Sequence, residues 1–99
     1  MPEERLEFHP EAGSEVVQAH LWYLKLGESL GQRFLDEYHR SRDRVLENPR
    51  SFPRTYKVYR YCLLNTFPYK IIYRLKGAIV YVLAFAHASK RPGYWRHRR

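Results

Sequence analysis

The side chains that could do chemistry are divided by charge along this 99-residue sequence. All ten acidic residues lie at or before Glu47, together with six basic ones, whereas residues 48–99 hold twelve Lys and Arg and no Asp or Glu. The second half therefore cannot supply paired carboxylates for acid/base hydrolysis or an oxygen cage for Mg²⁺ or Ca²⁺. Catalysis there would depend on His, Lys, Arg, Tyr or Ser without a metal. The same half is suited to bind a polyanion or an acidic partner protein.

Length and composition restrict the class of protein. A chain of 99 residues with a net charge of +8 has room for a single domain, 1–99, and none for a separate cofactor domain, so we predict no cofactor. Cys62 is the only cysteine, which excludes an internal disulfide and a thiolate zinc site and favours a reducing compartment. We predict no metal site. The absence of a long apolar run and an acidic start unlike a signal peptide predict a soluble cytoplasmic protein without membrane contact.

The elements that must position these side chains follow from periodicity. Residues 5–8 alternate as a strand, and two helices follow, the first from Pro10 to Gly27 and the second from a Ser29 cap to Asn48. Residues 56–64, 69–75 and 78–87 are rich in Tyr, Ile, Val and Leu and predict three strands. The tail, residues 88–99, is predicted to be irregular. The order β-α-α-β-β-β indicates an α+β fold with a helical hairpin on one face of a mostly antiparallel sheet.

The second helix is predicted to turn an apolar side inward and a charged side outward. Asp36 lies four residues before Arg40, a spacing at which opposite charges pair on a helix surface. The residues predicted to face solvent are Arg33, Glu37, Arg40 and Arg44.

The last hairpin leads to a site hypothesis through its register. Lys76-Gly77 is a natural two-residue turn because glycine supplies a positive φ, and this turn pairs Leu75 with Ala78. Lys70 and His87 then share the sheet face away from the helices. A face without helices that carries lysine, arginine, tyrosine and histidine indicates a functional site. The alternative is a structural sheet face that the tail covers. A bulge or a one-residue slip would reverse which residues lie on each face. The predicted pairs are Tyr69–Ala84, Ile71–Val82 and Tyr73–Val80 on the helix side, with Lys70, Ile72, Arg74, Ile79, Tyr81, Leu83, Phe85 and His87 on the other.

Several motifs, taken in order, resemble one family. They are Phe8-x-Pro10-x-Ala12, Trp22-Tyr23, Gly31-x-x-Phe34, Glu47-Asn48-Pro49 with Pro53, Arg60, Phe67-Pro68-Tyr69-Lys70-Ile71-Ile72-Tyr73, and His87-x-Ser89-Lys90-x-Pro92-x-Tyr94-Trp95-x-x-Arg98. Together they resemble the RelE/ParE superfamily of toxins from bacterial type II toxin–antitoxin systems, which include plasmid stabilisation systems. The resemblance covers nearly the whole chain, and the predicted element order agrees with the family's fold.

The resemblance implies two functional branches. RelE-like members are ribosome-dependent ribonucleases that cleave mRNA without a metal, whereas ParE-like members bind DNA gyrase and block it. It also implies a cognate antitoxin with an acidic C-terminal segment that wraps the toxin, and contact with operator DNA only through that antitoxin.

In the RelE-like branch, the resemblance assigns four residues to catalysis. His87 would act as acid or base, and Tyr94 would stack on a base or shuttle a proton. Lys70 stands where the RelE-like pattern has an arginine, so it could hold phosphate only as a point charge, supplemented by Arg91 or Lys90.

The Phe67-Pro68-Tyr69 start and the Pro92-containing tail are closer to ParE-like members, and we favour that branch. A different class, a non-toxic nucleic-acid-binding domain, is a further alternative. The residues predicted to contact the target or the antitoxin are Arg60, Arg74, Lys90, Arg91, Trp95 and Arg98.

Overall fold

The computed structural model describes residues 5–99. A short strand, β1 (Arg5–Phe8), leads into a helical hairpin, α1 (Pro10–Leu26) and α2 (Glu28–Glu47). Four strands follow, namely β2 (Arg54–Tyr56), β3 (Tyr59–Leu63), β4 (Tyr69–Lys76) and β5 (Ile79–His87). They form one sheet in the order β1-β5-β4-β3-β2, in which only β1 and β5 are parallel. The predicted α+β fold is confirmed, with β2 as an additional strand, while residues 1–4 of the predicted domain lie outside the described part.

The helix boundaries are set by the residues at their ends. The Nδ1 atom of His9 accepts a hydrogen bond from the backbone N–H of Glu11 at 3.1 Å, which caps α1 just before Pro10. Only Gly27 separates the two helices, and it serves as the C-cap of α1 and the N-cap of α2. The predicted Ser29 cap is therefore wrong, because α2 begins one residue earlier and Ser29 lies within its first turn.

The main core lies between the helical hairpin and one face of the sheet. Phe34 of α2 is completely buried, and its ring meets those of Tyr23, Phe67 and Phe85 with centroid separations of 5.1 to 6.0 Å. Gly31 allows the hairpin to close, because a Cβ atom there would lie 2.4 Å from Leu24 Cδ2. Close helix contact at this glycine thus positions the aromatic cluster over the sheet.

A β-bulge in β5 changes which side chains share a face. Tyr73 pairs with Val82 but Ile72 pairs with Ala84, so Leu83 is an extra residue in β5. Beyond it the alternation is inverted: Phe85 joins the helix-side core, whereas Ala84 faces the tail. The inversion places the Phe85 ring on Tyr69, stacked at 4.6 Å, within the aromatic cluster.

The predicted register is wrong because of the position of the turn as well as the bulge. Leu75 pairs with Val80 and not with Ala78, since the turn consists of Gly77 and Ala78, with Gly77 at φ 60°. The residue opposite Tyr69 is His87, whose ring meets the Tyr69 ring edge-on at 4.9 Å. Lys70 lies on the opposite face, so the prediction that Lys70 and His87 share one face is also wrong. The observed partners are Tyr69–His87, Ile71–Phe85 and Tyr73–Val82.

The face away from the helices is not open, because the tail covers it. Trp95 is only 3% exposed and packs in a second cluster with Ile72, Leu83, Ala84 and Ala86. The two alanines leave room for the indole ring, which also meets Tyr59 edge-on at 5.2 Å. The tail thus builds a small second core on this side of the sheet. The alternative prediction, a structural face covered by the tail, therefore describes this part of the sheet.

Candidate functional site

Glu15 of α1 is the centre of a polar cluster that joins the first helix to the tail. Its carboxylate accepts hydrogen bonds from the Tyr94 hydroxyl at 2.6 Å and from both terminal nitrogens of Arg98 at 2.9 and 3.0 Å. A fourth bond, at 3.0 Å, comes from the backbone N–H of Phe85, in the part of β5 that extends beyond the end of β1. Glu15 thereby satisfies an edge N–H and neutralises a buried guanidinium.

The ionisation of this cluster follows from its hydrogen bonds. Burial opposes the charge on Glu15, but the bonds from Arg98, Tyr94 and the Phe85 N–H outweigh it and hold the pKa of Glu15 below its ordinary value. Burial and the neighbouring Glu15 carboxylate raise the pKa of the Tyr94 hydroxyl. Bonding to Glu15 likewise raises the pKa of Arg98. At neutral pH the cluster therefore consists of a carboxylate, a guanidinium and a protonated phenol.

An open groove of about 470 Å³ lies beside this cluster, between α1 and the tail. Trp22 and Glu11 line its helix side, and His87, Lys90 and His97 line the other. The Lys90 ammonium lies 5.6 Å from the centre of the Tyr94 ring. The groove brings cationic, aromatic and imidazole side chains together at the end of the sheet.

His87 is oriented by its immediate neighbours. Its Nδ1 atom accepts a hydrogen bond from the backbone N–H of Ser89 at 2.9 Å and lies 2.8 Å from the Ser89 hydroxyl. Because Nδ1 accepts from a backbone N–H, the proton of a neutral ring lies on Nε2. The only nitrogen that could donate to a ligand from the neutral ring is then Nε2.

The four residues assigned to catalysis in the RelE-like branch line one small pocket of about 130 Å³. Lys70 is contributed by β4, and His87 is the last residue of β5. Arg91 and Tyr94 belong to the tail. The chemistry open to them is restricted by other contacts. The Tyr94 hydroxyl is bonded to Glu15, and the Lys70 ammonium lies 5.3 Å from the centre of the Tyr61 ring.

The predicted target-binding residues fall into two groups. Arg60, Trp95 and Arg98 have structural partners: Arg60 donates to the Phe52 carbonyl at 2.7 Å, Trp95 fills the second core and Arg98 binds Glu15. The other group consists of Lys90 and Arg91, which are exposed, and Arg74, which is half-buried.

Sequence reasoning missed the tertiary partners of two carboxylates, Glu37 and Glu15. Glu37, predicted to face solvent, is only 5% exposed and accepts hydrogen bonds from the Thr66 N–H at 2.9 Å and the Thr66 hydroxyl at 2.6 Å. Burial opposes its charge, but these bonds and the backbone N–H groups around Thr66 keep the pKa of Glu37 below its ordinary value. Asp36, expected to pair with Arg40, instead accepts a hydrogen bond from Gln32 at 2.8 Å. For Glu15, no local pattern signals partners 79 and 83 residues away.

Two further properties concern residues 5–99 only. No group of three or more His, Cys, Asp or Glu side chains within this range converges as metal ligands. Neither helix of the described chain is long and apolar enough to cross a membrane.

The protein has an α+β fold, in which a helical hairpin packs on one face of a mostly antiparallel sheet. A basic tail packs on the other face. A solved structure described as the chromosomal ParDE TA system from P. aeruginosa contains a chain with this fold. The similarity covers 90% of this chain and 100% of that chain, with a TM-score of 0.76 and 14% sequence identity. It confirms the fold implied by the resemblance to RelE/ParE proteins. No family model matches the sequence, and no curated protein does.

Proposed function

We propose that this protein is the toxin of a type II toxin–antitoxin system and that it acts, like ParE, by binding DNA gyrase. The observation that carries the proposal is the similarity in fold, over 90% of the chain, to a chain of a ParDE system. The contacts and positions of the candidate catalytic side chains within the protein support the ParE-like branch over the nuclease branch. The Tyr94 hydroxyl is bonded to Glu15, and Lys70 and His87 extend from opposite faces of the sheet.

The antitoxin is the partner for which α1 offers an exposed apolar surface. Val17, Leu21, Trp22 and Leu26 are each 55 to 58% exposed on this helix, although large apolar side chains usually prefer burial. The basic second half of the chain complements an acidic antitoxin segment in charge. We propose that an amphipathic antitoxin segment covers the apolar side of α1 and continues onto the basic surface.

The antitoxin contact is tested by co-expression with a candidate antitoxin, to be sought as a short reading frame beside the gene. That frame should encode an acidic, amphipathic C-terminal segment and should restore growth. The variant Leu21→Ser/Leu26→Ser should remain toxic but escape neutralisation. The control Gln18→Ser/Gln32→Ser changes one exposed polar residue in each helix and should be neutralised normally. Equal neutralisation of both variants would contradict docking on α1.

A second candidate function is ribosome-dependent cleavage of mRNA. The observation that favours it is the meeting of Lys70, His87, Arg91 and Tyr94 around one pocket. In such a reaction His87 would transfer a proton, while Lys70 and Arg91 would stabilise the negative phosphate. No metal would be required.

One comparison separates the two functions: gyrase supercoiling measured beside mRNA cleavage on translating ribosomes. We expect inhibition of gyrase, unchanged in His87→Ala and weakened about tenfold, or 1.4 kcal/mol of binding free energy, in Lys90→Gln/Arg91→Gln. The control Lys25→Gln/Arg33→Gln removes two exposed helix charges and should inhibit normally. Cleavage of mRNA that disappears in a folded His87→Ala variant would establish the nuclease instead. Induction without any effect on growth, supercoiling or translation would overturn the toxin proposal.

A further inference from the structure

The two edges of the sheet differ in how they are guarded against another strand. β1 forms one edge and β2 the other. Edge strands are usually blunted by bulges or by charges of one sign, which prevent pairing between chains. β2 has both features, because its pairing with β3 is irregular between Arg54 and Tyr56 and its nearest charges, Arg54 and Lys57, are cationic. Over its four described residues, β1 pairs with β5 without such an irregularity and carries one charge of each sign, Arg5 and Glu7.

The backbone of β1 offers hydrogen-bonding groups on its outer edge. The N–H groups of Arg5 and His9 donate, each at 2.9 Å, to carbonyl groups in and just before β5. Backbone groups of alternate residues point to the same side of a strand, so those of Leu6 and Phe8 point away from β5. No other strand of residues 5–99 lies on that side. These N–H and C=O groups are therefore placed to bind a further strand.

The helix-facing side of this edge is only partly covered. Leu6 and Phe8 are half-buried and pack against the main core. Both side chains line a narrow apolar cleft with Tyr38 and Val45 of α2. A strand added beside β1 would cover more of their apolar surface, and removing that surface from water favours association.

The charges of β1 are complementary to those of a second copy in one antiparallel register. Arg5 and Glu7 lie on the side of the strand away from the helices, with side chains 71% and 49% exposed. With Leu6 of one copy opposite Leu6 of the other, each Arg5 lies opposite the Glu7 of the second strand, which makes two opposite-charge pairs. Moving either strand by two residues places Glu7 opposite Glu7 or Arg5 opposite Arg5, where like charges repel. The charges therefore select a single two-fold pairing.

We propose that two copies of this protein associate through their β1 strands, which pair antiparallel about a two-fold axis and join the two five-stranded sheets into one. At the centre of the pairing, the N–H of each Leu6 donates to the Leu6 carbonyl of the other copy. An unrelated extended segment would make the same backbone bonds, but a second copy also supplies two ion pairs and a matching apolar side. The inference goes beyond the proposed function, because it requires neither an antitoxin nor a target and uses no residue assigned to either.

The test is self-association of the whole chain, measured by sedimentation velocity at physiological ionic strength. We expect the mean mass to rise from 12.0 kDa toward twice that value between about 1 and 200 µM, because an edge of four residues buries little area and binds weakly. Two charge reversals, Arg5→Glu and Glu7→Arg, should each weaken association at least about tenfold, since both ion pairs become like-charge contacts. Their controls, Arg33→Glu and Asp36→Arg, make the same changes of net charge at exposed positions of α2 and should associate within about twofold of the original protein.

Two combinations of these variants make the test independent of net charge. An equimolar mixture of Arg5→Glu and Glu7→Arg should form a mixed dimer, because opposite charges again face each other across the strands. The double variant Arg5→Glu/Glu7→Arg should associate like the original protein for the same reason. Circular dichroism verifies that each variant is folded.

Three results would overturn the proposal. The first is an original protein that stays monomeric over the whole concentration range. The second is association that neither charge reversal weakens, or a mixture of the two that stays monomeric. The third is association that disappears in Leu21→Ser/Leu26→Ser but persists in the β1 variants, which would place the contact on α1.

Discussion

Glu15 and Arg98 form a two-pronged ion pair, with N–O distances of 2.9 and 3.0 Å, that fastens the tail to the first helix. The pair is shielded, since the Glu15 side chain is 19% exposed and that of Arg98 only 5%. We expect Glu15→Gln to lower the free energy of unfolding by about 3 kcal/mol, because Arg98 would keep its charge in a buried site with only the exposed Glu11 carboxylate nearby. Chemical denaturation measures this change.

The control for that change is Glu11→Gln. Glu11 lies 3.7 Å from the same guanidinium, but its side chain is 58% exposed, so solvent screens the interaction. We expect its loss to change stability by less than about 1 kcal/mol. Equal effects of the two substitutions would show that the pair is not the fastening contact.

The contribution of Glu15 should depend on pH in one direction. Its folded-state pKa is depressed below the ordinary value of 4.5, so the stabilisation is complete above the unfolded-state pKa and is lost as the pH falls through the folded-state value. The stability difference between the original protein and Glu15→Gln should be constant above about pH 5 and shrink in more acidic solution. A difference that grew on acidification would contradict the assignment.

Glu37 fastens the β3–β4 loop to α2 through Thr66. We expect Glu37→Gln to destabilise the protein by about 1 to 3 kcal/mol, because the substitution weakens bonds that a buried carboxylate accepts from the Thr66 N–H and hydroxyl. Asp36→Asn, which changes the exposed neighbour on the same helix, should have little effect. Thermal unfolding compares the two, and a larger loss in Asp36→Asn would contradict this role.

Gly31 and Gly13 form a matched pair for testing the helical hairpin. An added Cβ at Gly31 would lie 2.4 Å from Leu24 Cδ2 and 3.0 Å from Leu24 Cα, whereas at Gly13 it would meet nothing within 4 Å. Gly31→Ala should destabilise by about 1 to 3 kcal/mol because the helices must separate. Gly13→Ala should stabilise by about 0.5 to 1 kcal/mol through helix propensity. Denaturant midpoints that moved in the same direction would contradict close packing at Gly31.

The two tryptophans differ in burial and form a second matched pair. Trp95 is 3% exposed in the second core, whereas Trp22 is 55% exposed on α1. We expect Trp95→Ala to release the tail, because its main apolar contact is lost, and to speed tryptic cleavage at Arg96 and Lys90 by at least about tenfold. Trp22→Ala should leave cleavage unchanged. Similar cleavage rates in both variants would show that Trp95 does not anchor the tail.

Local patterns were sufficient to predict the helices and most of the strands. Pro10, Gly27 and Asn48 mark real helix boundaries, since each acts on its own neighbourhood. The Leu83 bulge could not be predicted, because the sequence of β5 is apolar on both sides and alternates equally well in either phase. That single residue moved His87 to the other face.

The site depended on contacts that sequence distance conceals. The charge division predicts a basic second half, but it gives no sign that Glu15 and Glu37 of the first half reach into the second half through tertiary contacts. The tail has no regular period, so the burial of Trp95 follows only from the space that Ala84 and Ala86 leave in the sheet. Lys70 and His87 were first singled out by the predicted register, and the roles of Arg91 and Tyr94 came from the family resemblance.

The position of β1 beside β5 sets the order in which this chain can assemble. Arg5 pairs with Ile79 and Phe8 with Val82, so the first strand has no neighbour until the last one exists. A chain emerging from the ribosome can form the α1–α2 hairpin early, but it must wait for β5 before the sheet closes. During that interval the apolar inner side of the hairpin, which in the folded protein packs on the sheet, has no strand to cover it.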